Sequence, residues 1–292
     1  MAERSPLIDD AKLAELQAWQ GRAETMADEI TIAPMRAMAA TLDRDDSPPG
    51  PGSQVPPLWH WLYFLPRTRL TDLRPDGNTP IQSTLTPPIP LPRRMWAGGR
   101  FEWHRPLCVG DRVRRVSSVK SVTRKTGRSG ELVFLVLKHE LHGEAGHLMT
   151  EEQNFVYRPA AAPDDAPSAP VLAELSAPWS REIVPQATLL FRYSALIFNG
   201  HRIHYDHPYA TRVEGYPGLV VHGPLIATLL VDLLRREVPG ATLKTYAFRA
   251  LRPLFDTANF FTCGVPDEPK RSARLWTRDA EGAMTMDATA TW

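Results

Sequence analysis

The chain has little cysteine, no long apolar run and almost no net charge, and each shortage removes a class of protein. Two cysteines in 292 residues, Cys108 and Cys263, are too few for a disulfide framework, and neither has metal-ligand spacing. No metal site is therefore expected. No uninterrupted apolar stretch approaches the roughly 20 residues that span a bilayer, and the start, Met-Ala-Glu-Arg-Ser-Pro, lacks an apolar signal core. The expectation is a cytoplasmic protein without a membrane partner. Thirty-four basic residues against 33 acidic ones give a formal charge of +1, so no long-range field favours nucleic acid. A Gly-rich phosphate loop and an activated serine or cysteine nucleophile are also missing, so no cofactor is implied.

What is abundant is proline. The 28 prolines cluster and punctuate the chain. Helical spacing runs from Asp9 to Ile30, with Asp9-Asp10 as the capping signal. Pro34 interrupts it, and a second short helix is expected from Met35 to Leu42. A proline-rich break then leads to the aromatic segment Leu58-Trp-His-Trp-Leu-Tyr-Phe-Leu65, read as core packing. Thr68 to Arg94 is a long irregular stretch, and such loops in compact domains usually cover a site or meet a partner. Strands follow at Phe101–Pro106, Val113–Val122, Glu131–His142 and Leu148–Tyr157. Residues 159–172 read as a Pro/Ala-rich linker between halves at 1–158 and 173–292.

In the second half, Pro224 to Glu237 has proline in its first helical turn and apolar residues around most of its circumference. That helix should be wrapped by protein. Strands are expected at Trp179–Ile183, Lys244–Arg252, Asn259–Val265, Ala273–Arg278 and Met284–Trp292. One enclosed helix and a curved antiparallel sheet make an α+β architecture.

Two polar stretches stand out against this apolar background. Phe198-Asn-Gly-His-Arg-Ile-His-Tyr-Asp206 packs titratable groups between apolar segments, where unpartnered burial is costly. Gly218-Leu-Val-Val-His-Gly-Pro-Leu225 opens the apolar helix. The bland alternative, a polar turn that contains histidines beside an ordinary helix entry, explains neither their adjacency nor their common chemistry.

These residues resemble the hot-dog fold and, more narrowly, the MaoC-like hydratase/dehydratase family, whose overhang before the central helix carries Asp-x-Asn-Pro-x-His. Asn199-Gly-His-Arg-Ile-His204 falls on that spacing. His204 matches strictly, Asn199 replaces the aspartate, His201 the asparagine and Arg202 the proline. Asp206, Pro208, Tyr209 and Ala210 continue the pattern. The Phe-Asn-x-His-Arg-Ile-His-Tyr-Asp variant, followed by Gly-Tyr-Pro-Gly-Leu-Val-Val-His-Gly-Pro-Leu, is similar to the type 2 hydroxyacyl-thioester dehydratase branch, which also contains 3-methylfumaryl-CoA (mesaconyl-C4-CoA) hydratases. The resemblance implies a double hot dog, each half a curved antiparallel sheet around a central helix, the first half degenerate and the second catalytic. It implies reversible hydration of a short, branched dicarboxylic enoyl-CoA. An itaconyl-type CoA hydratase and a 3-hydroxyacyl-thioester dehydratase of fatty-acid synthesis stand as alternatives within the family. A non-catalytic acyl-thioester binder or a thioesterase stands outside it. CoA enters as part of the substrate, and pairing into a homodimer stays open because one chain already supplies two hot dogs.

The chemistry assigns roles. His204 titrates near neutrality, so it can take a proton from water and return one. Asn199 has no useful pKa and is given orientation of the water. The start of the helix after His222 offers free amide donors and a positive dipole end, and the resemblance implies the Gly223 amide as the oxyanion donor to the thioester. Asp206 is a candidate to orient His204. Arg202 is open between binding a substrate carboxylate and a structural ion pair. His201, Tyr205 and His207 are weaker contacts, and Arg93 and Arg94, at the end of the proline-rich cover, are alternative partners for a carboxylate or a CoA phosphate.

Overall fold

The computed structural model describes residues 8–80, 84–127, 130–160 and 169–292. Helix α1 (Asp10–Gln17) begins where Asp9 accepts the amide of Lys12, an N-cap that satisfies one free donor. The helical spacing expected up to Ile30 stops much earlier. Gly21 turns the chain in the left-handed region, and Ala23–Glu29 becomes strand β1, alternating in exposure and paired with β3 (Arg112–Gly127). Apolar spacing at 23, 26, 27 and 30 suits either period, and the available sheet edge decides for the strand. Helix α2 (Ile32–Thr41) contains Pro34 in its first turn, where the missing donor is one that no helix uses. Proline therefore begins this helix rather than interrupting it.

The remaining strands of the first half are β2 (Arg93–Trp103), β4 (Gly130–Gly143) and β5 (Gly146–Arg158). The second half contains β6 (Trp179–Ile183), α3 (Ala187–Leu196), α4 (His207–Arg212), α5 (Gly223–Glu237), β7 (Thr245–Ala250), β8 (Phe260–Asp267), β9 (Ser272–Arg278) and β10 (Met284–Thr291). All ten strands join one antiparallel sheet in the order β1-β3-β4-β5-β2-β7-β10-β9-β8-β6. Counted inward from each edge, both halves repeat one topology: β1-β3-β4-β5-β2 and β6-β8-β9-β10-β7. The repeats meet where β2 pairs with β7, from Gly98 opposite Arg249 to Glu102 opposite Thr245. The middle of the expected linker, 161–168, lies outside the described residues.

Helix α5 is the core of the second half. Leu225 through Leu234 are all buried, including Thr228 and Asp232. Asp232 is tolerated there because Arg44, Arg181 and Arg236 reach its two oxygens at 2.8–3.0 Å. The first half holds no such helix among the described residues between α2 and β2. A 3-10 turn at Trp59–Leu62 fills the space with Trp59, Leu62, Tyr63 and Phe64, so the aromatic segment is core packing, as its composition suggests. The expectation of a central helix in each half is met in the second half by α5. In the first half, proline density between residues 43 and 92 leaves aromatics to fill the core without a helix among the described residues.

That half also encloses a polar knot. Glu151 is 2 % exposed and accepts from Trp61 Nε1 (3.0 Å) and Gln153 Nε2 (2.7 Å), and it shares a 2.9 Å hydrogen bond with His60 Nε2. Burial alone would raise its carboxyl, but the hydrogen bonds and the neighbouring imidazoles of His60 and His139 outweigh this and hold it down to about 2.

Candidate active site

The overhang is built on the end of α3. Ile197 closes the helix, Phe198 takes φ +52°, and the Asn199 amide donates to Ser194 O at 2.8 Å. A non-glycine residue in the left-handed region is a strained turn that the surroundings must hold. Asn199 Oδ1 accepts the His201 amide at 3.0 Å, an Asx turn that starts the short 3-10 turn Arg202–His204. One lone pair of Oδ1 and the side-chain NH2 remain for a ligand. The structure thus gives Asn199 a backbone-shaping duty besides the water-orienting role expected of it.

His204 is clasped from the strand-like segment before α5. The Val220 amide donates to Ile203 O at 3.0 Å, and His204 Nδ1 lies 2.7 Å from Val220 O. A carbonyl can only accept, so Nδ1 carries the proton and Nε2 is left with its lone pair. The ring is 8 % exposed and stacks on His222 with centroids 3.7 Å apart and planes 18° off parallel. Burial, with some repulsion from His201 and against the Val220 hydrogen bond, pulls the imidazole down to about 4. His204 is therefore a neutral base at physiological pH.

His222 is the N-cap of α5 and immediately precedes Gly223, so the stacked pair sets the base beside the free amides of the helix start. His222 is completely buried and shares a 2.7 Å hydrogen bond between Nε2 and Ser194 Oγ. Burial, then the neighbouring His204 and His201, holds it neutral as well. Gly223 faces Trp96 of β2, which would stand 3.4 Å from a Cβ at this position. The wall opposite the candidate oxyanion amide thus comes from the first half of the chain.

The other expected contacts lie elsewhere. Asp206 does not orient His204, whose Nδ1 is already taken by Val220. Its carboxylate instead caps α4 by accepting the Tyr209 amide and pairs with Arg202 Nε and Nη2 at 3.0 and 2.8 Å. Arg202 donates its Nη1 to Pro75 O and lays its guanidinium 4.1 Å over the Tyr209 ring. Of the two readings open for Arg202, the structure builds the ion pair. Tyr205 donates its hydroxyl to Gly200 O. Arg94 stands on β2, two residues from Trp96, with its guanidinium 4.1 Å over Phe155.

Two contributors were not legible in the sequence, and a third was legible only as a cover. Ser194 is a lone hydroxyl in an apolar helix, a weak signal for the group that holds His222. Val220 acts only through its backbone. The proline-rich cover reaches the overhang through Asp76 O, which accepts the Arg202 amide at 2.9 Å. Gly77 sits there at φ +82°, so close that a Cβ would overlap the Gly200 carbonyl. Among the described residues, no three His, Cys, Asp or Glu side chains gather in a way that could hold a metal ion, and no helix is long and apolar enough to cross a membrane.

A buried neutral imidazole beside the free amides of an enclosed helix, inside two repeated halves of one continuous sheet, defines a double hot dog with the equipment of an acyl-thioester hydro-lyase. The hydroxyacyl-thioester dehydratase type 2 family model matches residues 58–256. The chain is 43 % identical over 276 residues to a mesaconyl-C(4)-CoA hydratase of Chloroflexus aurantiacus, covering 94 % of this chain and 97 % of that one. It is 27 % identical over 229 residues to the mitochondrial hydroxyacyl-thioester dehydratase type 2 of Schizosaccharomyces pombe, covering 70 % and 75 %. In fold it is similar to a MaoC-like dehydratase from Phytophthora capsici (TM-score 0.71, 14 % identity, 96 % and 97 % covered) and to a double hot-dog protein of Mycobacterium tuberculosis (TM-score 0.57, 14 % identity, 93 % and 94 % covered). The chain belongs to the hydroxyacyl-thioester dehydratase type 2 family, and the two relatives above are named as a hydratase and a dehydratase.

Proposed function

We propose that this enzyme reversibly hydrates a short, branched dicarboxylic enoyl-CoA, with 3-methylfumaryl-CoA (mesaconyl-C4-CoA) going to 3-citramalyl-CoA. The observation that carries the reading is the His204 imidazole, neutral, with Nε2 free and placed beside the start of α5. Identity to a mesaconyl-C(4)-CoA hydratase across nearly the whole chain supports the choice of substrate.

The chemistry follows from the groups. The thioester carbonyl sits against the Gly223 amide, where the N–H and the positive end of α5 stabilise charge building on oxygen during addition. Water lies against Cβ, oriented by the Asn199 amide. His204 Nε2 accepts its proton as the C–O bond forms, and a proton is then delivered to Cα of the enolate. His204 is the group placed to make that delivery. Dehydration is the same path reversed. Low polarity around the rings keeps His204 uncharged and ready to accept.

The test is a panel of CoA thioesters, followed by loss of conjugated-enoyl absorbance on hydration. The expected result is rapid loss with 3-methylfumaryl-CoA and slow loss with longer, monocarboxylic chains. No loss with any short or medium enoyl-CoA sinks the hydratase reading. Release of free CoA would establish a thioesterase instead.

A further inference from the structure

We propose that Arg94 and Trp96, two residues apart on β2 of the non-catalytic half, form the acyl-recognition end of the active site. Trp96 is the floor that limits chain length, and Arg94 binds the substrate's distal carboxylate. This rests on the substrate reading above and adds the groups that would enforce it.

The sheet geometry places both side chains together. Arg94 lies opposite Tyr157, and Trp96 opposite Phe155, across the β2–β5 ladder. Residues two apart on a strand share a face, and cross-strand partners share it too. The register slips just beyond, between Trp96 and Gly98, so the strand turns its next side chains after Trp96 rather than before it. On this face Trp96 reaches Gly223, with the Cε3 and Cζ3 edge of its indole nearest the glycine. It is braced by edge-on contacts to Phe248 at 5.2 Å and Trp61 at 5.6 Å. Trp61 is in turn fixed by its hydrogen bond to Glu151. A braced ring this close to the candidate oxyanion amide is the group that would stop a longer acyl chain.

Charge points the same way. A dicarboxylic thioester brings an anion into the site, and an anion needs a cation that no other group has claimed. Arg202 is claimed by Asp206 and Pro75 O. Arg94 has no carboxylate or hydrogen-bond partner among the described residues. Its guanidinium folds back over Phe155, the cross-strand neighbour of Trp96, and it is exposed enough to be reached. The phenol of Tyr157, whose oxygen is also unpartnered, lies close enough to interact with it electrostatically and could add a second donor.

The test compares 3-methylfumaryl-CoA with crotonyl-CoA, a neutral thioester with the same four-carbon backbone. In Arg94→Met, kcat/KM for the dicarboxylic substrate should fall about a hundredfold while crotonyl-CoA changes little, as expected for loss of a charge-assisted, bidentate partner. Arg94→Lys should restore part of the preference. In Trp96→Leu, activity on hexenoyl-CoA should rise relative to crotonyl-CoA. Parallel loss on both four-carbon substrates in Arg94→Met overturns the assignment, because Arg94 would then serve the CoA portion or the fold. A wild-type preference that survives in Arg94→Met overturns Arg94's role while leaving the substrate reading intact. A wild type that handles crotonyl-CoA as well as the dicarboxylic thioester overturns the substrate reading, and this inference with it. No gain on hexenoyl-CoA in Trp96→Leu overturns the floor.

Discussion

The rings of His204 and His222 stack 3.7 Å apart, one held by Val220 O and the other by Ser194 Oγ. Each ring is anchored by one nitrogen to a different element, so the stack fixes the plane in which His204 Nε2 presents its lone pair. Charging either ring would set a cation against its neighbour in a buried place. Both are therefore held neutral, and the pair is fixed in one orientation.

The first prediction concerns His204 itself. His204→Ala should lower kcat by about 10²–10⁴, the usual contribution of a positioned acid–base group, with an unchanged circular dichroism spectrum. A folded variant with near wild-type turnover would remove His204 from the mechanism.

The pH profile follows from the depressed imidazole. With His204 at about 4, kcat/KM should stay flat from neutrality down to about pH 5 and fall only below that. Stability behaves differently. The folded value lies below the unfolded one, so the unfolded chain takes up the proton first. The His204 contribution is intact above about pH 6.5 and declines as pH drops toward 4. A kinetic inflection near 6.5 would show that the ring is wetter during turnover than its burial implies.

Asn199→Asp should fold and retain activity within about tenfold. A carboxylate oxygen can accept the His201 amide as Oδ1 does now, so the Asx turn survives. Measured kcat decides the point. Loss of all turnover in a folded variant would mean that the side-chain NH2, which only the amide supplies, holds the water or the substrate.

Gly77→Ala should loosen the cover from the overhang. The position needs a left-handed φ and has no room for a methyl beside Gly200 O, so strain of about 1–3 kcal/mol is expected at the contact. Activity should fall while the cooperative unfolding of the sheet moves little. Unchanged turnover would show that the cover does not help to hold the catalytic turn.

Glu151→Ala tests the polar knot of the first half. Removing the carboxylate leaves His60, Trp61 Nε1 and Gln153 without their partner in a dry core, a change that typically costs about 3–5 kcal/mol. Urea unfolding would measure it. In the wild type, the same carboxylate contributes stability above about pH 4.5 that is lost as pH falls toward 2, since its folded value is the lower one.

How much of this could be read beforehand differs by level. Helix α5 and the strands of the second half were legible, because period and burial agree along each of them. The spacing of the candidate overhang was legible as well, since Asn199 and His204 are close in sequence. The failures have a common cause. Ala23–Glu29 has an ambiguous period, and only the edge of β3 made it a strand. Asp206 sits two residues from His204, yet Arg202 captured it because an i,i+4 pair on a turn is nearer than the ring.

The sequence alone therefore determined the enclosed helix, the antiparallel strands, the polar overhang and the residue types able to do thioester hydration, all of which depend on local order and pattern. Tertiary structure decided which nitrogen of His204 is free, what holds His222, that Arg202 rather than Arg94 is claimed by a carboxylate, and that Trp96 from the first half faces Gly223 of the second. Those are contacts between residues tens to more than a hundred positions apart. Their energies depend on burial and on competition for partners, and neither is set until the chain has closed.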